Sequence, residues 1–351
     1  MENKKSFLLL PVILALPLAG PSCNLPQNDG GVYKTTDGGE NWKQIVTIED
    51  SKNTLIKTDT EQLLLDPSNP NVVFLATVSQ GLYVSNQFGE SWKRLVPEVS
   101  TVYAIEPDTV RKGTYFASVL LNDRGKIIKT ENAGNDWKEV YTETGKDTYV
   151  THLKADPFFP DSLVAANTEG LLMRSSDGGV TWQATFPFQD SLISLDFDPV
   201  VENNLWALTQ RGVWISRDGG VTFDLLTLDP SGEMGNQFYL LQAEQEGLFL
   251  ATDRGFFKSL DGGSVWEKII TLNNPANYPV RTLVMFPGDN GKKWVVGAGM
   301  ALYITEDGGE NWKPIQFEIS RMVNAVLIKP DETNQMLVGV ANAKTLGGFG
   351  Y

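Results

Sequence analysis

SSDGGVTW, at residues 175–182, is one of seven copies of a single octapeptide in this chain. The others read TTDGGENW (35–42), SNQFGESW (85–92), TENAGNDW (130–137), SRDGGVTF (216–223), SLDGGSVW (259–266) and TEDGGENW (305–312). The template is Ser/Thr-x-Asp-x-Gly-x-x-Trp. Its third position is held by Asp37, Gln87, Asn132, Asp177, Asp218, Asp261 and Asp307, at steps of 50, 45, 45, 41, 43 and 46 residues. Such a period, with apolar strand-like flanks, is the length of one propeller blade.

Each position of the template has a physical task. The segment is expected to be the turn of a hairpin. Its Ser/Thr hydroxyl and Asp carboxylate can accept hydrogen bonds from turn amides. The Gly supplies a positive φ that other residues avoid. The aromatic residue opens the next strand and can lay its ring beside the hairpin. Trp42, Trp92, Trp137, Trp182, Trp266 and Trp312 fill that slot, and Phe223 fills the seventh. Gln87 replaces the turn carboxylate with a longer amide, so its repeat is expected to be the loosest, whereas Asn132 keeps the geometry without the charge. Each carboxylate has local amides to satisfy and no second carboxylate at ligand spacing, so calcium is not expected.

Upstream of the turns runs an apolar strand that ends near Asp-Pro or Pro, as in LLLDP (63–67), LKADP (153–157) and LDFDP (195–199), although the example from Tyr239 to Gln245 lacks the proline. A second strand follows, then a glycine turn such as Gln80-Gly81 or Arg254-Gly255, then the strand that enters the octapeptide. The repeating unit is therefore strand, strand, strand, octapeptide turn, strand. The chain enters at Gly31 as a third strand. It leaves with a first strand (323–329) and a second (335–341). Half a blade from each end completes the seventh, which removes exposed sheet edges. The expected fold is all-β: a seven-bladed propeller of four-stranded blades spanning residues 31–351.

The seven octapeptides resemble the Asp-box, or bacterial neuraminidase, repeat. That repeat occurs in sialidases, xyloglucanase-type glycosidases, sortilin-type receptors and the exported assembly-factor propellers of photosystem II. The chain most resembles the last of these, being a single ring behind an export signal. Xyloglucanase-type enzymes pair two propellers, and sortilin-type receptors carry ten blades and cysteine-rich modules. Sialidases carry an Arg-Ile-Pro motif, which this sequence lacks; the nearest stretch, Arg94-Leu95-Val96-Pro97, does not match it. The resemblance implies the fold and leaves function open between a scaffold and a carbohydrate-active protein.

The 351 residues include 43 acidic and 29 basic side chains, for a formal net charge of −14. That balance repels a phosphate backbone, so nucleic acid is not an expected partner. Cys23 is the sole cysteine and His152 the sole histidine. No internal disulfide can form, and neither a metal nor a cofactor is expected. Residues 1–22 read as a signal peptide: Lys4 and Lys5 precede the apolar run FLLLPVILALPLA at 7–19. Cys23 then falls where a bacterial lipoprotein carries its lipidated cysteine, with 23–30 as a polar tether. The expected location is the cell envelope, lipid-anchored at Cys23; the plain alternative is a secreted or periplasmic protein. Contact with a membrane is expected only through that anchor, and the chain is expected to be a monomer.

Ligands of a propeller usually meet the loops of one face. Here that is the face opposite the octapeptides. Register places Arg124, Arg211 and Arg254 in its glycine turns. The starts of the first strands carry Tyr103, His152, Tyr239 and Arg281, along with Glu61, Ser194 and Asn324. Arginines and tyrosines on one face of an acidic protein suit a protein or peptide partner. His152 has no nucleophile or metal partner in the sequence, which points to a hydrogen-bonded channel residue and away from a catalyst. Glycoside hydrolysis needs two converging carboxylates. The acids available on that face are Glu61, Asp123, Glu169, Asp253 and Asp289. The sequence thus favours a binding or assembly scaffold over an enzyme, with a glycan-binding propeller or glycoside hydrolase as the alternative.

Overall fold

A computed structural model describes residues 28–228, 232–269, 275–316 and 318–343. Residues 1–22, read above as a signal peptide, Cys23 and the expected tether up to residue 27 lie outside the described residues, as does the tail from 344. The described chain forms seven antiparallel sheets of four strands each. Blade 1 spans 60–94, blade 2 101–142, blade 3 150–187, blade 4 192–225, blade 5 238–269 and blade 6 280–316. In blade 7 the inner strands Met322–Ile328 and Met336–Ala341 come from the C-terminal side, and Gly31–Thr35 and Lys43–Ile45 from the N-terminal side. Gly31 faces Val340 and Thr35 faces Met336 across the join. The ring closes as the repeat pattern implies.

Second strands such as Leu163–Asn167, Leu205–Thr209 and Trp294–Ala298 are buried at every position. Each is covered on both faces by neighbouring blades, which is why LVAAN, LWALT and WVVGA are nearly continuous apolar runs. The core is correspondingly divided into clusters that bridge adjacent blades, such as the one joining Val102 and Ile105 of blade 2 to Phe74 and Val84 of blade 1.

The octapeptides fold as one motif. In the first, Thr35 Oγ1 accepts from Gly39 N at 3.0 Å and donates to Asp37 Oδ1 at 2.7 Å. Asp37 then accepts from Asn41 N at 2.9 Å and Asn41 Nδ2 at 2.8 Å. Trp42 Nε1 donates to Gly39 O at 3.1 Å. Thr181, Thr222 and Asn311 repeat the role of Asn41. Asn132 preserves the pattern with Oδ1 accepting from Asp136 N. Phe223 fills the aromatic slot by packing on Phe186 and Phe188.

The turn at 85–92 is held differently. Ser85 Oγ still accepts from Gly89 N at 2.9 Å, but Gln87 supplies no carboxylate. Trp92 is fully buried, and its backbone is tied to Thr47 O and Glu49 N instead. Its indole N–H has no hydrogen-bond partner.

Candidate functional site

Every inner strand carries a β-bulge one or two residues from its start. The register skips Glu61, Tyr103, Thr151, Ile193, Tyr239, Arg281 and Asn324 in blades 1 to 7. A bulge lets two successive side chains turn to the same side of the sheet. In blades 3, 4 and 5 the pairs Thr151 and His152, Ile193 and Ser194, and Tyr239 and Leu240 both face the central channel. The seven bulges form a ring around its mouth and line a cavity of about 590 Å³.

The cavity opens on the face opposite the octapeptides. Loops between blades supply Asp147, Tyr149, Asp190 and Ser191, and the second-to-third turns supply Thr168 and Gln210. Tyr103 and Tyr149 stack with centroids 5.4 Å apart. Arg281 is the arginine of the lining, and Glu61, Asp147 and Asp190 are its carboxylates. Burial pushes the Glu61 carboxyl up to about 7, against the opposing pull of Arg281 and with a further push from Asp59. Burial, with the Tyr149 hydroxyl and the Glu61 charge, raises the Tyr103 phenol to about 12.

His152 is held at both nitrogens. Nε2 lies 3.2 Å from Ile193 O, to which only an N–H can donate, so Nδ1 is left to accept from Thr151 Oγ1 at 3.0 Å. Burial lowers its pKa to about 4, Ile193 O opposes that shift, and Lys154 adds to it. The imidazole is neutral at pH 7 and acts as a strut between blades 3 and 4.

Other polar side chains of the inner strands do the same work. Gln62 exchanges two bonds with the Ile105 backbone, at 3.1 and 2.9 Å. Ser194 Oγ accepts from Leu241 N at 3.0 Å. Gln242 Nε2 donates to Leu283 O at 3.0 Å, and Asn324 Nδ2 donates to Thr60 O and Glu61 O at 3.0 Å. Deeper in the channel, Lys154 Nζ lies 3.2 Å from Asp196 Oδ1. That carboxylate, with Glu106, raises the lysine despite its burial. Burial lifts Glu106 and Glu244 to about 7, with Lys154 pulling both back. One cation among three carboxylates leaves room for protonated acids at neutral pH.

Of the residues singled out in the sequence, Tyr103, His152, Tyr239 and Arg281 come together at the cavity, with Glu61, Ser194 and Asn324. Arg124, Arg211 and Arg254 stay outside it. Arg124 is exposed and donates to Glu143 O and Thr144 O, both at 3.3 Å. Arg211 is exposed in its turn. Arg254 is exposed 3.9 Å from Asp253, beside Met234, Phe257 and Trp266. The acids Asp123, Glu169, Asp253 and Asp289 are also outside. Asp253 caps Asn236 N and Gln237 N, and Asp289 caps Gly291 N. Thr151, Ile193 and Leu240 had no signal in the sequence, because strict alternation points them away from the channel.

The seven hydroxyl-and-glycine turns and the four-stranded blades make this chain a β-propeller of the Asp-box, or BNR, type. A family model described as "Sortilin, neurotensin receptor 3" matches residues 211–345. The xyloglucanase Xgh74A of Acetivibrio thermocellus is 23% identical over 278 residues, covering 69% of this chain and 29% of the enzyme. The human VPS10 domain-containing receptor SorCS2 is 24% identical over 172 residues, covering 46% of this chain and 14% of the receptor. The chain thus spans less than a third of the length of these relatives. Among solved structures, the xyloglucanase of Xanthomonas campestris matches with TM-score 0.67 at 14% identity, over 81% of this chain and 51% of that one. YCF48 bound to D1 peptide matches with TM-score 0.62 at 15% identity, over 81% of this chain and 94% of that one. At such identities the likeness is one of fold.

Proposed function

We propose that this chain is an exported binding scaffold whose ring cavity takes a segment of a protein partner. The observation that carries this reading is the cavity itself. Its volume of about 590 Å³ lies within the ordinary range of ligand pockets. Its wall mixes stacked tyrosines, hydroxyls and both signs of charge, so it can seat an apolar side chain and satisfy the polar backbone around it. The match to YCF48 covers 81% of this chain and 94% of that one, and that propeller is seen with a peptide. We place the scaffold in the cell envelope, held by a lipid on Cys23; Cys23→Ser is expected to release it from the membrane fraction.

A glycan ligand is the second reading. The Tyr103–Tyr149 stack offers a flat face on which a sugar ring can also pack. Affinity capture separates the two. Protein lacking the first 22 residues and carrying Cys23→Ser is immobilised beside a Tyr103→Ala/Tyr149→Ala variant and exposed to envelope extract. A protein retained by the first and lost by the second supports the scaffold. Retention of polysaccharide, with no protein, transfers the cavity to the glycan reading.

A further inference from the structure

The octapeptide face carries a feature the scaffold does not need. Within the motif, the sixth position is Glu310, Glu40 and Glu90 in blades 6, 7 and 1, and all three are exposed. In blades 3 and 4 the same position is Val180 and Val221, 69% and 48% exposed. Blade 5 has Leu260 at the second position and Val265 at the seventh, 75% and 68% exposed. The turns of blades 3, 4, 5, 6 and 7 share the same hydroxyl and carboxylate bonds, so the change from acid to aliphatic side chain among them is not required by the fold.

The turns between first and second strands extend this arc. They lie against the octapeptides, as Gly219 N shows by donating to Asn203 O at 2.9 Å. In blade 4 that turn presents Val200 and Val201, 59% and 49% exposed. Val200 and Val201 then meet Leu260 of blade 5 across a groove of about 470 Å³ floored by Trp206 and Leu248. Asp198, Glu246 and Asp261 line the same groove, and its one arginine, Arg217, is 3.3 Å from Asp224. Contiguous exposed apolar side chains on a soluble surface mark a contact site. An acidic border around them selects for a basic partner.

We infer that the groove between blades 4 and 5 is a second docking surface, for a partner segment with an apolar side chain flanked by lysine or arginine. The apolar side chain seats between Val201 and Leu260, and the cations reach the carboxylates of the border. This surface is on the face opposite the ring cavity and does not depend on what that cavity holds.

The test uses three short fluorescein-labelled peptides of equal length, built from Leu and Lys, Ser and Lys, and Leu and Glu. Anisotropy is read against the whole chain, against Val201→Ser/Leu260→Ser, and against Tyr103→Ala. Both replaced side chains are solvent-facing, so the double variant is expected to unfold at the wild-type temperature. The Leu–Lys peptide is expected to bind about tenfold more tightly than either control, a difference of about 1.4 kcal/mol. The double variant should lose that advantage and Tyr103→Ala should keep it. Equal binding of Ser–Lys and Leu–Lys peptides, or no binding, overturns the assignment. So does concentration-dependent self-association that the double variant abolishes, since the face would then be covered by a second copy.

Discussion

Gly309 sits at φ 99°, and a Cβ built there would stand 3.0 Å from Ile269 Cγ2 and 3.1 Å from Trp294 Cζ3. The same position in all seven octapeptides is glycine, with φ between 79° and 99°. The neighbouring fourth position also has positive φ, yet it accepts Phe88 and Ala133. Conformation alone therefore does not enforce the fifth glycine; conformation and close approach together do. Gly309→Ala is expected to cost about 2–3 kcal/mol, and Gly308→Ala, whose Cβ meets nothing within 4 Å, about 1–2 kcal/mol, as read from urea unfolding. Equal losses would show that packing contributes nothing. The turn carboxylates carry a pH signature as well. Hydrogen bonds from the Thr181 side chain and backbone hold Asp177 down to about 2, below the ordinary value of 3.8. A folded-state pKa below the unfolded one gives stability that is present above pH 4 and lost as pH falls toward 2. Asp177→Ala should therefore be less stable than wild type at pH 7 and converge on it near pH 2. A constant difference across that range would exclude the carboxylate as its source.

At the scale of single strands, the polar residues of the inner strands act as bridges between blades. Gln62 is the clearest case, because its amide satisfies both the N–H and the C=O of Ile105 in the next blade. Gln62→Leu leaves both groups unpaired in a part-buried channel, and each such loss costs about 1–3 kcal/mol. A loss of about 2–4 kcal/mol is expected in urea unfolding, with faster amide exchange at Ile105. A variant within 0.5 kcal/mol of wild type would show that channel water replaces the side chain. This bridging also bears on what the sequence made legible. The octapeptides announced the blades, their number and the shared seventh sheet, since turn chemistry and period are local properties. Tyr103, Tyr239 and Arg281 were placed at the channel mouth by counting along first strands. The bulges were not legible: they add one residue to a strand without a glycine or proline to mark them, so Thr151 and Ile193 escaped notice. Arg124, Arg211 and Arg254 share a face with the cavity in sequence register, but their turns carry them outward. No periodicity reports how far a side chain stands from the ring axis.

For the whole ring, closure depends on a few residues far apart in sequence. Arg321, just before the innermost strand of blade 7, is 3.3 Å from Asp29 Oδ1 and also bonds Asp59. Asp29 in turn accepts from Ser320 N and, at 2.6 Å, from Ser320 Oγ. Asp59 accepts from Asn342 N at 2.8 Å, and Tyr33 Oη donates to Asp29 O at 3.1 Å. Both ends of the ring and the entry to blade 1 thus meet at one guanidinium. Arg321 and Asp29 are 8% and 7% exposed, so neither charge can recover water if the other is removed. Burial pushes the Asp29 carboxyl up, and Ser320 and Arg321 outweigh it, holding it below its usual range. Breaking a buried pair by deleting one partner costs about 3–5 kcal/mol, against about 0–1 kcal/mol for an exposed pair. Arg321→Met is expected to lose about 3–5 kcal/mol, whereas Glu90→Gln, which releases the half-exposed partner of Lys34, should lose less than about 1 kcal/mol. Amide exchange places the damage: it should rise first in Gly31–Thr35, the strand that joins the N-terminal hairpin to the ring. If stability falls and exchange rises evenly over all seven blades instead, the ring opens as one cooperative unit and Arg321 is not a local clasp.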